Sequence, residues 1–171
     1  MKKLIISILL MTFSSFTIAD GDHPISSITG ENIELSLVDH AIAGRIGENL
    51  VLGNVSTGDG HQQSTLVLKN HDGMSTTVFG NNNGQWGGTL GQRQIELVKV
   101  VREIPAYIIA VNGVEYTVRV ESDDYQNNHF IRPTYILELD GKEIAAKMHE
   151  GQACWKFSLH LIFMIFGTYL I

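Results

Sequence analysis

The sequence predicts an all-β protein, an antiparallel sandwich or barrel of about 8–10 strands. Short stretches in which apolar and polar side chains alternate, as at residues 33–37 and 114–118, recur along the chain with turn-forming residues between them. Residues 105–148 also contain the sequence pattern of a β-hairpin twice in succession. A signal peptide precedes this predicted domain, and an apolar tail, predicted to be helical, follows it.

The duplicated hairpin is the strongest of these signals. Its copies start at Pro105 and Pro133, 28 residues apart (133 minus 105), and share the pattern Pro-x-Tyr-Ile-apolar-x-apolar-Asn/Asp-Gly-x-Glu-apolar. The Asn-Gly at 112–113 and the Asp-Gly at 140–141 suit a type I′ turn, which needs a positive φ at both central residues. The second copy contains Asp-Gly-Lys-Glu and resembles hairpins of tubby-like and phospholipid-scramblase-like barrels. This likeness covers one hairpin and identifies no family.

Two-residue turns also predict which residues face each other across each hairpin. The inward pairs are Val111 with Val114, Ile109 with Tyr116 and Tyr107 with Val118 in the first copy, and Leu139 with Lys142, Leu137 with Ile144 and Tyr135 with Ala146 in the second. The same register sends Glu138, Glu143 and Lys147 to the outer face of the second hairpin. It also predicts that Tyr107, Ile109, Tyr135 and Leu137 are buried.

Shorter apolar runs predict the remaining strands. They cover residues 33–37, 41–47, 49–52, 65–69, 75–79 and 95–101, with turns at 47–48 and 70–73 and a short helix over 37–43 as the alternative to the second run. Residues 20–27 are predicted to be an irregular segment before the first strand. Residues 80–91 are the least strand-like part of the domain, and residues 121–128 are a polar link between the repeat hairpins.

Residues 1–19 predict export as a signal peptide. Lys2 and Lys3 precede an apolar run at residues 4–13, and the segment ends in the small residue Ala19, as signal peptidase prefers. A retained membrane anchor is the alternative, although the apolar run is short for a membrane span. The predicted location is the periplasm, the cell envelope or the outside of the cell.

The predicted single domain, residues 20–151, is acidic. All 18 Asp and Glu residues, but only 9 of the 12 Lys and Arg residues, lie between Asp20 and Glu150, which gives a formal charge of −9 (9 minus 18). Nucleic-acid binding is disfavoured because phosphate contacts depend on Lys and Arg. Cys154 is the single cysteine, so no intrachain disulfide can form and stability depends on an apolar core.

Residues 152–171 form the hydrophobic tail. As a helix, residues 155–171 would be roughly 25 Å long, against a hydrocarbon core of about 30 Å in a bilayer. Three alternatives stay open: a membrane-associated helix that anchors the domain, a helix or strand packed on the body or on a partner, and a tail with no selected structural role. The first of them predicts membrane contact through Trp155–Ile171.

The predicted ligand- or partner-binding residues are Asn81, Asn82, Asn83, Gln85 and Trp86. Amide groups pair with hydroxyls and a tryptophan ring stacks on apolar patches, which favours a carbohydrate or a protein segment as the ligand. In the alternative interpretation Trp86 covers the core and the neighbouring glycines form tight turns.

A second pattern concerns a metal ion. Asp123, Asp124, Asn127 and Asn128 place several oxygen ligands in one loop, as hard cations such as calcium prefer. The spacing matches no EF-hand, and a solvated acidic turn is the alternative. The sequence predicts no other metal site and no cofactor.

Motifs of known enzyme classes are absent from the sequence, which has no Gly-x-Ser-x-Gly, no His-Glu-x-x-His and no Walker-type glycine loop. We therefore expect an exported, non-enzymatic binding or interaction protein of the cell envelope. One alternative is a small secreted hydrolase or metal-binding protein whose site assembles from scattered carboxylates and histidines. The other is a structural subunit of an envelope assembly.

Overall fold

The structure, a computed structural model, describes residues 26–30, 32–38, 41–55, 62–70, 73–90 and 93–170. In this part of the chain, twelve antiparallel strands close into a barrel, three short strands form a second sheet, and one helix fills the barrel. The predicted all-β class is confirmed, with more strands than expected. The predicted signal peptide, residues 1–19, lies outside the described residues.

The barrel strands follow one another along the chain. They are β1 (Ser26–Gly30), β2 (Ile33–Val38), β3 (Ala41–Ile46), β4 (Asn49–Val55), β5 (Gln63–Asn70), β6 (Gly73–Asn82), β7 (Gln85–Leu90), β8 (Arg93–Val101), β9 (Ala106–Val111) and β10 (Val114–Glu121), followed after an excursion by β13 (Thr134–Leu139) and β14 (Lys142–His149). Each strand from β1 to β10 pairs with the next, β13 pairs with β10, and β14 pairs with both β13 and β1. The pairing of β14 with β1 closes the barrel.

The excursion builds the small sheet. Between β10 and β13 the chain forms β11 (Asp124–Gln126) and β12 (His129–Ile131). After β14 it forms β15 (Gln152–Cys154), which pairs with β12 to give the order β11-β12-β15. The helix α1 (Trp155–Tyr169) follows β15 directly.

The two ends of the barrel differ. Because neighbouring strands run in opposite directions, their connections alternate between the ends. The turns at 47–48, 112–113 and 140–141 lie at one end. The turn at 83–84, the segment 102–105 and the small sheet lie at the other. We call this second end the helix-entry end, because α1 starts there and runs into the barrel.

Helix α1 is apolar on every side, which is the pattern of a helix surrounded by other structure. Every side chain of residues 157–166 is buried, with an exposure of 4% or less. These side chains form one cluster with inward strand residues such as Ile28, Leu35 and Val51. An eight-stranded barrel is filled by its own side chains, whereas a wider barrel encloses a central space. Here the helix occupies that space.

The structure thus places the apolar tail in the interior of the domain. Of the three arrangements predicted from the sequence, this is the helix packed on the body. Contact of Trp155–Ile171 with a membrane stays a prediction, and it would require α1 to leave the barrel. Within the described residues, no helix combines the length and the hydropathy that a membrane span requires.

The first repeat hairpin, β9 with β10, has its predicted register. Val111 pairs with Val114, Ile109 with Tyr116 and Tyr107 with Val118. The two turn residues have φ angles of 50° and 81°, as a type I′ turn requires. Tyr107 and Ile109 are buried, as the alternation predicted.

The second repeat hairpin, β13 with β14, contains a β-bulge that corrects the prediction. Leu139 pairs with Lys142 as expected, but Leu137 pairs with Ala145 rather than Ile144, and Tyr135 with Lys147 rather than Ala146. The extra residue, Ile144, is 38% exposed. Beyond the turn, the predicted register is therefore wrong by one residue. Because side chains alternate, this shift turns Lys147 from the predicted outer face to the inner face, where it is buried.

Three other local predictions also need correction. Residues 80–91 are mostly strand, since β6 continues to residue 82 and β7 begins at residue 85. The described residues within 37–43 form no helix and belong to β2 and β3. The predicted irregular segment, residues 20–27, overlaps β1, a strand of five residues that is too short and polar to show clear alternation.

Candidate ligand site

The five residues predicted to bind a ligand lie on the β6–β7 turn at the helix-entry end. Asn81 and Trp86 face each other across the two strands, and Asn82 faces Gln85. The turn residues 83–84 have positive φ angles of 54° and 87°. Asn82, Asn83 and Gln85 are exposed, so the structure brings these three polar groups together at the surface.

The Trp86 ring, by contrast, faces the barrel interior. Its centroid is 5.5 Å from the His160 ring of α1, edge-on, and 6.1 Å from the Phe79 ring. The side chains of Asn82 and Gln85 lie on the opposite face of these strands, because successive side chains alternate. The ring and the exposed amides therefore do not share one surface. Ligand binding at this turn stays a prediction.

The residues of the calcium pattern lie at the β11–β12 hairpin. Asn127 and Asn128 form its turn, with φ angles of 48° and 69°. Asp123 makes a salt bridge to Arg132. Asn128 Oδ1 accepts a hydrogen bond from the Tyr125 hydroxyl at 2.7 Å. These groups thus take part in bonds that stabilise the hairpin.

The remaining residue of that pattern, Asp124, is also engaged. Its carboxylate accepts hydrogen bonds from the side-chain amide of Gln126 and from the backbone N–H of Tyr125. These bonds favour the charged form and lower the pKa of Asp124 below its usual value. Within the described residues, no three His, Cys, Asp or Glu side chains form a group that could hold a metal ion. Calcium binding stays a prediction.

A cleft of about 570 Å³ lies beside the small sheet at the helix-entry end. It is lined by Tyr125, Phe130 and Trp155, together with Arg102, Pro105, Val120, Ser122 and Asp124. Small-molecule sites are typically concave, mostly apolar and roughly 300–1,000 Å³ in volume, with a few polar groups that orient the ligand. We call this feature the aromatic cleft.

Trp155 joins three parts of the molecule at the aromatic cleft. Its carbonyl accepts a hydrogen bond from the Tyr107 hydroxyl of β9 at 2.8 Å, and its indole N–H donates to the Tyr125 hydroxyl of β11 at 3.1 Å. Its ring lies edge-on to Phe130 of β12, with 4.8 Å between centroids. Burial raises the pKa of Tyr107 well above its ordinary value, so the hydroxyl keeps the proton that it donates. The first residue of the helix is therefore fixed to the barrel and to the small sheet.

The polar groups of the aromatic cleft have different roles. The Ser122 hydroxyl accepts from the Ile131 N–H at 2.9 Å and so belongs to the small sheet. The Arg102 side chain, in the segment between β8 and β9, is exposed, and its Cζ lies 4.9 Å from the centroid of the Trp155 ring. A guanidinium at this distance makes a cation–π contact and is held in place by it. Arg102 is the cation that lines the cleft.

This site is not evident from the sequence because its residues come from separate segments. Arg102 follows β8, Tyr125 lies in the predicted polar link at residues 121–128, Phe130 lies just after that link, and Trp155 lies in the apolar tail. An available signal was the presence of two aromatic residues in a stretch that was otherwise polar and acidic. Only the pairing of β15 with β12 brings the start of the tail to that stretch.

Comparisons with known proteins give no family for this chain. No protein-family model, no curated protein and no solved structure matches it. The function of the aromatic cleft must therefore be inferred from its own chemistry.

Proposed function

We propose that this protein is an exported, non-enzymatic binding protein that takes a small ligand into the aromatic cleft. The observation that carries the proposal is the cleft itself, in which three aromatic rings and one arginine surround about 570 Å³. Rings supply apolar contact area and a charged group orients the ligand, which is the usual composition of a ligand site. The leader-like pattern of residues 1–19 supports export.

The rings of the aromatic cleft are held before any ligand arrives. The Trp155 indole donates to the Tyr125 hydroxyl, and that hydroxyl donates to Asn128. Phe130 is buried and contacts both rings, at 4.8 Å from Trp155 and 5.2 Å from Tyr125. Side chains that are already ordered lose less entropy on binding, which favours affinity.

Calorimetric titration of the full chain with a panel of monosaccharides, sugar acids, aromatic alcohols and aromatic acids tests the proposal. Tyr125→Ala removes a ring that is 47% exposed, and it should weaken binding at least about tenfold. The Tm is measured beside the affinity, because Tyr125 also bonds to Asn128 and Trp155. Met74→Ala, on the outer wall of the barrel at 71% exposure, is the matched control. Absence of heat with every compound, or equal binding by both variants, would rule out the cleft as a ligand site.

The export part of the proposal has its own test. The mass of the protein recovered outside the cytoplasm should correspond to a chain that starts at Asp20, because cleavage is predicted after Ala19. A chain that stays in the cytoplasm with residues 1–19 attached would contradict export without touching the cleft.

A second candidate function, a structural subunit of an envelope assembly, is favoured by the outer wall of β2 to β6. The registers of these strands place two outward rows side by side. The rows are Ser36, Ala43, Leu52, Val67 and Thr76, and Val38, Ala41, Asn54, Thr65 and Val78, none of them charged. A concavity of about 450 Å³ lies over the first of these rows and is bordered on its other side by Glu34, Arg45 and Lys69. The two rows themselves form an exposed, uncharged strip, which is typical of interaction surfaces.

Light scattering tests this second function. Leu52 is 59% exposed on the outer wall, so Leu52→Glu should leave the fold intact and reduce the mass of any assembly. If the unaltered protein is a monomer at high concentration and Leu52→Glu changes nothing in cross-linked envelope preparations, the subunit function is excluded.

A further inference from the structure

We infer that the aromatic cleft selects a ligand in which a flat or saturated ring carries a single carboxylate, and that Arg102 binds this carboxylate. The inference rests on the proposed binding function and names its ligand class. It follows from three features of the cleft: the state of Arg102, the engagement of the nearby acidic groups, and the shape of the apolar walls.

Arg102 forms no salt bridge with a described carboxylate. The salt bridges in the described part of the chain include Arg119 with Glu121, Arg119 with Glu138, and Arg132 with Asp123, and none of these involves Arg102. Among these residues, the contact of Arg102 is with the Trp155 ring. An anion that enters the cleft therefore meets a guanidinium whose N–H donors are not already paired with an acid of the described chain.

The contact with the Trp155 ring, at 4.9 Å from Cζ to the ring centroid, restrains the Arg102 side chain. The planar fork of guanidinium N–H groups matches the two oxygens of a carboxylate. The contact with the ring also reduces the rotamer freedom that a long side chain would otherwise lose on binding. Arg102 is thus arranged for a two-point contact rather than for a diffuse charge attraction.

Asp124 limits the charge of the ligand. It lines the same cleft, and its hydrogen bonds from Gln126 and Tyr125 hold the carboxylate in its charged form. Two charges of opposite sign in one cleft favour a ligand with one negative charge over a dianion, since the second charge would be repelled by Asp124. This distinguishes a carboxylate from a phosphate monoester.

The walls of the aromatic cleft define the body of the ligand. Tyr125 and Phe130 present rings at 5.2 Å from each other, and Pro105 and Val120 add aliphatic surface. Rings stack on flat aromatic bodies and on the C–H faces of sugars alike. An aromatic carboxylate and a uronic acid therefore both have the ring and the single carboxylate that the cleft would bind.

Calorimetry with matched pairs of probes tests the inference. Phenylacetate is compared with phenylacetamide, and glucuronate with glucose, on the full chain and on Arg102→Gln. We expect Arg102→Gln to lower the affinity for the acid that binds by about 10- to 100-fold, because a hydrogen-bonded charge pair is lost. The affinity for the neutral partner of that acid should change less than about threefold. Arg102→Lys, which keeps the charge but not the fork, should lie between the two.

Arg45→Gln is the matched control, because Arg45 lies on the outer wall of β3 and not in the aromatic cleft. It should leave the affinity for every probe unchanged. The acid that binds, phenylacetate or glucuronate, identifies the source of the ring. Phenyl phosphate, a dianion, should bind more weakly than phenylacetate.

The outcomes separate the inference from the proposed function. Equal affinity for an acid and its neutral partner, or equal loss in Arg102→Gln and Arg45→Gln, would overturn the role of Arg102 and leave the cleft as a binding site. Tighter binding of phenyl phosphate would overturn the single-charge ligand. If no probe binds and no compound of the wider panel binds either, both the inference and the proposed function fail.

Discussion

The two repeat hairpins share a sequence pattern and the same type of turn, yet they differ in register. Hairpin β9–β10 is regular, whereas β13–β14 carries a bulge at Ile144. Each hairpin has positive φ angles at both central turn residues, 50° and 81° in the first and 51° and 72° in the second. The turn is therefore a local property of Asn-Gly and Asp-Gly, while the register beyond it is not.

The bulge exchanges the two faces of the repeat. Arg119 and Lys147 occupy equivalent positions, but Arg119 lies on the outer face, where it makes salt bridges to Glu121 and Glu138, and Lys147 is buried on the inner face. Lys147 passes so close to Gly30 of β1 that a Cβ at residue 30 would overlap the Lys147 side chain. The inward side chain of Lys147 thus contacts β1, the strand whose pairing with β14 closes the barrel. Neighbouring strands thus decide which face of a repeat is buried.

The largest expected effect distinguishes the two hairpins directly. Deletion of Tyr116 from the regular hairpin would turn Val118 and Val120 outward and bring Arg119 inward. We therefore expect the free energy of unfolding to fall by more than about 4 kcal/mol, which leaves no stable fold. Deletion of Ile144 removes the bulge residue alone and keeps Ala145 and Lys147 on the inner face. It should cost less than about 2 kcal/mol. Urea unfolding followed by circular dichroism measures both, and equal losses would show that the bulge itself is required.

The equivalent tyrosines of the two copies provide a finer comparison. Both hydroxyls bond to α1, Tyr107 to the carbonyl of Trp155 at 2.8 Å and Tyr135 to the hydroxyl of Ser158 at 3.0 Å. Tyr135→Phe leaves the fully buried Ser158 without this bond and should destabilise the folded protein by about 1–3 kcal/mol. Tyr107→Phe, which removes the bond to Trp155, should destabilise the folded protein by about 1 kcal/mol.

The double variant Tyr135→Phe with Ser158→Ala is the control for that comparison. Removing both hydroxyls leaves no unsatisfied group, so most of the stability lost in Tyr135→Phe should return. If the double variant is less stable than Tyr135→Phe, the hydroxyl of Ser158 has a different role. Thermal unfolding of the unaltered protein, of Tyr135→Phe, of Ser158→Ala and of the double variant gives the coupling energy.

The bulge also predicts a pH dependence. It places His149 on the inner face, where the ring is buried and packs against Phe157 at 6.1 Å. Burial disfavours the charged imidazolium and lowers the pKa of His149 below its ordinary value of 6.5. The unfolded chain takes up a proton near that value and the folded chain does not. The free energy of unfolding should therefore fall as the pH drops below about 6.5, by at most about 1.4 kcal/mol per pH unit.

Urea unfolding between pH 7.5 and 5 measures this dependence, with His149→Phe as the comparison. The variant cannot take up the proton at residue 149, so its stability should fall less steeply over the same range. Parallel curves for the two proteins would assign the pH dependence to other groups.

The smallest expected effect concerns the shared turns. In Gly113→Ala and Gly141→Ala the added Cβ meets no atom within 4 Å, but the residues keep φ angles of 81° and 72°. Each substitution should cost about 1 kcal/mol from backbone strain, with a difference between the two of less than about 0.5 kcal/mol. A much larger loss in one hairpin, measured by thermal unfolding, would show that its turn also depends on the barrel.

The residues of the candidate site were harder to predict from the sequence than the fold was. Tyr107, Ile109, Tyr135 and Leu137 are buried as predicted, because period-two alternation is a property of the strand itself. The aromatic cleft has no such local pattern. Trp155, Tyr125 and Arg102 meet because β15 pairs with β12 and α1 starts next to it. This pairing brings Trp155 to Tyr125, 30 positions earlier in the chain, and to Arg102, 53 positions earlier (155 minus 102).

By itself, the sequence determined the all-β class, the type I′ turns and the register of the first hairpin, since turn chemistry and side-chain alternation act over a few residues. Val114, predicted to face inward, is 48% exposed next to the turn. The tertiary structure decided the bulge at Ile144, the burial of Lys147 and the place of the apolar tail. The tail could have met a membrane, a partner or the body, and its residues are apolar enough for each. It lies inside because twelve closed strands enclose more space than their own side chains fill, and a mostly apolar helix occupies that space.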